Sequence, residues 1–303
     1  MAIRSVASAL TEGVGVFASD PDDQLIGEAL PFALKTLEAL LASDPDNVDL
    51  LLSTCSGFTQ YSFAFVELEA HRLAPVDYRA GAAERARARD LYLRARGYCF
   101  RALDVLKPGT SKRLPLEPVA ALGDLPRKNK DLVFWTAASW GAAIANGLDR
   151  PDIVVDLPAV RAVFEHLLDL DESFGKGRLH DAMISLEAVP ESMGGSVERA
   201  RHHYERSVKL SGDSRVGTHL NWAWLVEMRH QNRAGFDAAI EKALAVNLDK
   251  SPADRVANTV NRKFAQFLTE RADDVFLDDL DDTALDEDMN DDTGSGSGEE
   301  GNR

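Results

Sequence analysis

One ten-residue apolar pattern recurs five times along this chain, and it leaves few folds open. Ala33, Leu37, Leu40, Leu41 and Ser43 set the spacing. Ala95, Cys99, Ala102, Leu103 and Val105 repeat it, as do Val160, Phe164, Leu167, Leu168 and Leu170. Ala200, Tyr204, Ser207, Val208 and Leu210 form a fourth copy, and Phe236, Ile240, Ala243, Leu244 and Val246 a fifth. Offsets of four, seven, eight and ten place these side chains on one broad stripe of a helix. A helix–turn unit cannot bury such a stripe alone, so repeated units stack on their neighbours. The copies start at 33, 95, 160, 200 and 236. The last two intervals are close to the roughly 34-residue period of tetratricopeptide repeats, and the first two leave room for an extra helix or a long loop between units. The expected fold is therefore all-α, a tetratricopeptide-like set of stacked helix pairs forming an irregular α-solenoid. A generic helical bundle is the alternative.

Helices are expected over 24–42, 46–73, 79–106, 131–144, 157–170, 175–189, 196–210, 217–229, 233–246 and 252–272. Asp44-Pro45 joins the first two, with Pro45 suited to a first helical turn and Asp44 to its cap. In the second helix Phe58, Tyr61, Phe65 and Leu68 share one aromatic face. The segment from Asp131 to Ile144 carries Trp135 and Trp140 among small residues, which suits a helix in the middle of a stack. Between them, 107–130 holds four prolines and two glycines, and this irregular connection is a candidate lid or interaction loop.

Composition narrows the function. The net charge is −16, of which −10 comes from residues 278–303, where eleven acidic side chains face Arg303 alone. That end also contains Gly294-Ser295-Gly296-Ser297-Gly298 and is too poor in apolar residues to fold. The expected organisation is a helical domain over 1–278 and an acidic disordered tail over 279–303. The acidic balance argues against nucleic acid, whose phosphates require a basic face. No apolar run approaches the roughly 20 residues of a bilayer span, and no N-terminal signal peptide or lipid-accepting cysteine is visible. Cys55 and Cys99, the only cysteines, lie in apolar helical stretches and are expected as buried free thiols.

Enzymatic and metal readings find little support. His202 and His203 are adjacent, so they diverge by about 100° on a helix and cannot share a metal. His180-Asp181, and His166 with Asp169, read as solvated or capping pairs. No nucleophile elbow, phosphate-binding loop or cysteine–histidine metal spacing occurs. No catalytic residue, metal site or cofactor is expected.

Four segments together resemble the TatT family, the tetratricopeptide-type accessory component of certain tripartite ATP-independent periplasmic (TRAP) transporters. They are 58–66 (Phe58 to Val66), the Trp135/Trp140 helix, Leu168 to Phe174, and the helix ending Val208-Lys209-Leu210-Ser211. The resemblance implies a periplasmic, non-enzymatic homotrimer that docks the periplasmic solute-binding subunit and encloses a largely apolar pore for a small hydrophobic solute. Phe58, Tyr61, Phe65, Trp135 and Trp140 are the candidate pore-lining residues, although large side chains at helical spacing ordinarily pack a core. Family members usually begin with a lipoprotein signal ending in a cysteine, which this sequence lacks, so membrane anchoring is not carried over. A stand-alone tetratricopeptide-like scaffold for protein interaction, and an enzyme without recognisable motif, are the other two readings.

Overall fold

The computed structural model describes residues 14–276, apart from 124 and 126, so the acidic tail expected over 279–303 lies outside the described residues. Every element among them is helical. The succession is α1 (Val14–Ser19), α2 (Asp23–Ser43), α3 (Val48–Ser62), α4 (Leu68–Leu73), α5 (Tyr78–Leu106), α6 (Thr110–Arg113), α7 (Pro118–Leu122) and α8 (Lys130–Ala145). It continues with α9 (Pro151–Val154), α10 (Leu157–Asp171), α11 (Arg178–Glu187), α12 (Val197–Ser211), α13 (Val216–Asn221), α14 (Arg233–Ala245), α15 (Arg255–Glu270) and α16 (Ala272–Val275). Two π-helical segments, Phe63–Glu67 and Trp222–Glu227, interrupt the second and eighth of the ten expected helices.

The ends have local causes. Asp22, Asn47, Asp77, Ser196 and Asn232 each accept a hydrogen bond from a backbone N–H three residues on, which satisfies one otherwise unpaired donor of α2, α3, α5, α12 and α14. Asn47, rather than Asp44, is thus the cap of α3, and Pro45 stays in the turn before it. Gly175, Lys176 and Gly177 all have positive φ, which delays α11 to Arg178, three residues past its expected start.

All five pattern copies fall on helices, namely α2, α5, α10, α12 and α14. Their inner positions are buried: Leu37 and Leu41, Ala95, Cys99, Ala102 and Leu103, Val160, Phe164 and Leu167, Ala200 and Ser207, and Phe236, Ile240 and Ala243. The last position drifts outward at Ser43 and Val105, since ten residues fall short of three whole 3.6-residue turns.

Two cores result. The first is built by α2, α3, α5, α8, α10 and α11, with α8 at its centre. Small and apolar on every side, α8 buries Leu132, Val133, Phe134, Ala137, Trp140 and Ile144. The second core is built by α12 to α16 with Leu68 and Ile184. Residues 107–130 are no loose lid: Leu114, Ala121 and Leu122 are buried in the first core, because α6 and α7 give this proline-rich stretch an apolar inner face.

The cysteines correct the thiol expectation. Cys55 on α3 and Cys99 on α5 form a disulfide across the first core, with Cα atoms 5.5 Å apart. Both are fully buried, so burial alone did not distinguish a thiol from a bridge. Neighbouring helices brought the pair within the spacing a disulfide requires.

Candidate ligand cavity

The functional geometry begins with the backbone of α3. Thr54, Thr59 and Ser62 donate their hydroxyls to the carbonyls four residues back, at 2.7, 2.8 and 2.6 Å, which satisfies buried polar side chains within their own helix. Directly afterwards the ladder widens, and the Leu68 N–H bonds to the Phe63 carbonyl five residues back. A π turn holds more residues than an α turn, so successive side chains diverge less. Phe63, Ala64 and Phe65 consequently all face one cavity. The same widening splits the expected aromatic face. Phe58 belongs to the first core and Leu68 to the second, so the π segment passes this helix from one core to the other.

The cavity has a volume of about 150 Å³. Its first wall is α2, through Ile26, Leu30, Leu34 and Leu37, and its second is α3 with the π segment. Val256, Ala257 and Val260 of α15 close a third side, beside Phe17 and Ala18 of α1. Glycines set the separation of the first two walls. A Cβ on Gly27 would lie 2.8 Å from the Phe65 ring, and one on Gly57 would lie 2.8 Å from a methyl of Leu34. The charged side chains of the lining are Arg178 and Asp254, paired at 2.7 Å. Arg178, with Arg215 further off, holds the Asp254 carboxyl below its ordinary value against the opposing effect of burial, the largest single influence.

Of the five aromatic candidates, Phe65 lines this cavity. Tyr61 neighbours it, with ring centroids 5.8 Å apart, and its hydroxyl accepts a hydrogen bond from Arg87 at 3.4 Å. Phe58 stacks on Tyr98 beneath the Arg94 guanidinium, in the first core. Trp140 is wholly buried and donates its indole N–H to Asp156 at 3.2 Å. Half-buried Trp135 meets Phe134 edge-to-face at 5.1 Å. Phe58 and Trp140 belong to the first core and Tyr61 and Trp135 pack against it, whereas Phe65 packs against the second, so the five do not line one cavity. Phe63 and Leu34 were missed as wall residues, as were Arg178 and Asp254. The Phe63-Ala64-Phe65 triplet carried the available signal, whereas nothing in the sequence joins Arg178 to a partner 76 residues away.

Behind the π segment the environment disfavours charge. Tyr92 donates its hydroxyl to Glu67, and burial pushes the Glu67 carboxyl up and the Tyr92 phenol well above its usual value. The His71 imidazole lies edge-on to Trp224 at 4.5 Å, and burial first, then Arg85, pushes its pKa down to about 4.

A second polar cluster lies between α11, α12 and α13. Asp181 accepts from Ser207 and Thr218, both at 2.6 Å, and pairs with Arg215 at 2.8 Å. His180 Nδ1 and His203 Nδ1 are 2.8 Å apart, so one proton must lie between them. Burial, then His180, pushes His203 down to about 4. His219 bridges Tyr204 and Asp213 at 2.9 and 2.6 Å, and burial, then Asp213, pushes Tyr204 up to about 12. The expectation of a solvated His180-Asp181 pair is therefore corrected: the two are 2 % and 8 % exposed, respectively. These contacts join three helices, with Glu172 3.2 Å from His180 Nε2 and with the buried Arg215 Nε left without a hydrogen-bond partner.

The described residues are thus an all-helical assembly with a cavity lined mainly by apolar side chains between its helix layers. A family model described as TRAP transporter T-component (TAtT) matches residues 19–276, and the chain belongs to that family. It is also similar to an uncharacterized protein of Treponema pallidum (strain Nichols), 29% identical over 277 residues, which cover 87% of this chain and 83% of the relative. The chain is thus a component of the TRAP transporter system. Among the described residues no helix is long and apolar enough to cross a membrane.

Proposed function

We propose that this protein is a non-enzymatic, periplasmic accessory component that docks the solute-binding subunit of its transporter and holds a small apolar solute in the cavity between α2, the π segment and α15. The observation that carries this reading is the cavity itself: about 150 Å³ lined largely by apolar side chains, in a chain of this family. A volume of this order, lined by Leu, Ile and Phe, suffices for a benzene-sized guest. Each CH₂ transferred from water into such a site contributes about 0.8 kcal/mol.

In this reading Phe65 is a wall of the site, with Tyr61 behind it, while Phe58, Trp135 and Trp140 support the surrounding helices. Two further observations support the wider picture. The Cys55–Cys99 bridge suits an oxidising compartment such as the periplasm. Phe32 and Leu25, 79% and 54% exposed on the outer face of α2, offer apolar area for the homotrimer that the family resemblance implies. The helix pairs are read as a degenerate tetratricopeptide-like array.

Light scattering on the purified chain, alone and mixed with the solute-binding protein encoded nearest to it, tests the proposal. The expected result is a mass near three chains that rises on mixing. A monomer whose mass does not change on mixing would overturn the docking role and favour a stand-alone scaffold.

A further inference from the structure

We infer that a guest enters and leaves the cavity through the seam between α2 and α15, and that the ion pairs Lys263–Asp23 and Arg178–Asp254 are the latches that hold this seam closed. This rests on the reading of the cavity as the solute site and adds the route to it.

At this seam the cavity wall passes from one core to the other. Leu34, Leu37 and Leu41 anchor α2 in the first core, whereas Val260, Phe264, Ala265 and Leu268 anchor α15 in the second. Moving α15 off α2 leaves both sets of anchors in place. The other walls are firmer. Helices α2 and α3 share the first core, and the bridge from Cys55 to Cys99 ties α3 to α5 behind them. Parting α2 from α3 would carry Leu34, Leu37 and Phe58, all buried, into water. The π segment is held from behind by fully buried Val66 and by the hydrogen bond from Tyr92 to Glu67.

Two ion pairs hold α15 against the first core, one at each end of its lining residues Val256, Ala257 and Val260. Past Val260, the Lys263 ammonium donates to both Asp23 oxygens, at 2.7 and 2.8 Å. Asp23 opens α2, one turn before the lining residue Ile26. Ahead of Val256, Asp254 accepts from Arg178 at 2.7 Å, and Arg178 belongs to α11, which Leu179 and Met183 anchor in the first core.

The strength of these latches suits an opening and closing device. The Lys263 and Arg178 side chains are 51% and 37% exposed, and a pair in contact with water shifts an equilibrium by up to about fivefold. That favours the closed seam and still lets thermal motion open it. Salt screens such pairs, since the Debye length falls from about 30 Å at 0.01 M to about 3 Å at 1 M. A neutral guest has no charge for salt to act on, so ionic strength changes its release rate only through charges of the protein. A route beneath α1 would behave otherwise. Phe17 and Ala18 of that helix line the cavity, but Val14–Ser19 contains no charged residue.

Fluorine exchange NMR of fluorobenzene, a neutral guest of the size the cavity admits, tests this on the full chain. In the wild type the release rate is expected to rise about threefold or more as sodium chloride increases from about 0.01 to 1 M. In the Asp23→Asn/Lys263→Gln double variant, association and release should both be about threefold faster at low salt, with the dissociation constant unchanged. The pair is closed in the empty and the filled protein alike, so its loss speeds both directions. Neither residue lines the cavity, and a merely structural role would move the dissociation constant instead. The charge-swapped Asp23→Lys/Lys263→Asp variant should return most of the slow exchange. A wild-type release rate that ignores salt, or a double variant that exchanges as slowly as the wild type, would overturn the latches and leave the cavity standing. Absence of fluorobenzene binding at millimolar concentration would overturn the cavity reading itself.

Discussion

The two cores are packed from the same helical stripe, yet they are fastened by different chemistry. The first is locked covalently, by the Cys55–Cys99 bridge between α3 and α5, around an apolar helix, α8, that is small-residue-rich on all sides. The second has no bridge among the described residues. Its first helices, α12 and α13, are fastened to α11 of the first core by a buried polar cluster, with Asp181 taking Ser207, Thr218 and Arg215, and with His180, His203 and His219 beside it. A covalent lock ignores protons and answers to reductant, whereas a histidine–carboxylate lock does the reverse. The cavity lies where elements of the two regions meet, between α2 and α3 of the first and α15 of the second.

The largest effect should come from breaking the chemical lock on either side. Removing the bridge, as Cys55→Ala/Cys99→Ala, frees a loop spanning a sequence separation of 44. In the chain-entropy account that costs about 4 kcal/mol, read as a lower midpoint in urea unfolding. Asp181→Asn should cost about 3 kcal/mol by leaving Arg215 without its anion. Urea titrations of the two variants, followed at a probe in each half, decide whether the cores unfold separately. Equal midpoints at both probes in both variants would break the comparison and make the molecule a single cooperative unit.

Next in size is the joint. Phe264, fully buried, touches His71, Trp224 and Phe267 and so sits where α4 meets the second core. Phe264→Ala should cost about 3 kcal/mol through the cavity it leaves, and should disturb tryptophan fluorescence through Trp224.

The pH dependence sharpens the distinction further. His71 and His203 have folded pKa values of about 4, below the ordinary 6.5. The unfolded chain therefore binds more protons than the folded one between pH 6.5 and 4. The stability these groups contribute is fully present above pH 6.5 and is lost as pH falls through that window. A melting temperature that declines across it in the wild type, and declines less in His203→Gln, is the expected result. A flat profile would contradict the second lock. Gly27→Ala should have the smallest effect, since the added methyl meets the edge of the Phe65 ring, which can move. It should leave stability almost unchanged and weaken binding in the cavity.

Helix positions were largely legible because their stripes, caps and glycines are local. Asp77 before α5 and Gly212 after α12 act within one turn. The π segments were not, since a widened turn leaves the composition of Phe63-Ala64-Phe65 and Trp222-Ala223-Trp224 compatible with an ordinary helix. That is why Phe58 and Phe65 looked like one face and belong to different surroundings. Long-range pairs were equally hidden. Cys55 with Cys99, His180 with His203, and Arg178 with Asp254 are decided by which helices pack together, and a stripe of Leu and Ala does not record its neighbour. The family was recognisable from its aromatic segments, although the wall of the cavity shares only Phe65 with the residues first singled out.

The most direct test of the central claim, that the cavity between α2, the π segment and α15 holds an apolar guest, is saturation-transfer NMR of hexan-1-ol with the wild-type chain and with Ala64→Phe, which fills the cavity from the π segment. The account predicts transfer to hexan-1-ol in the wild type and its loss in a variant whose near-ultraviolet circular dichroism shows a native fold. Equal transfer in both proteins, or none in the wild type, would contradict it.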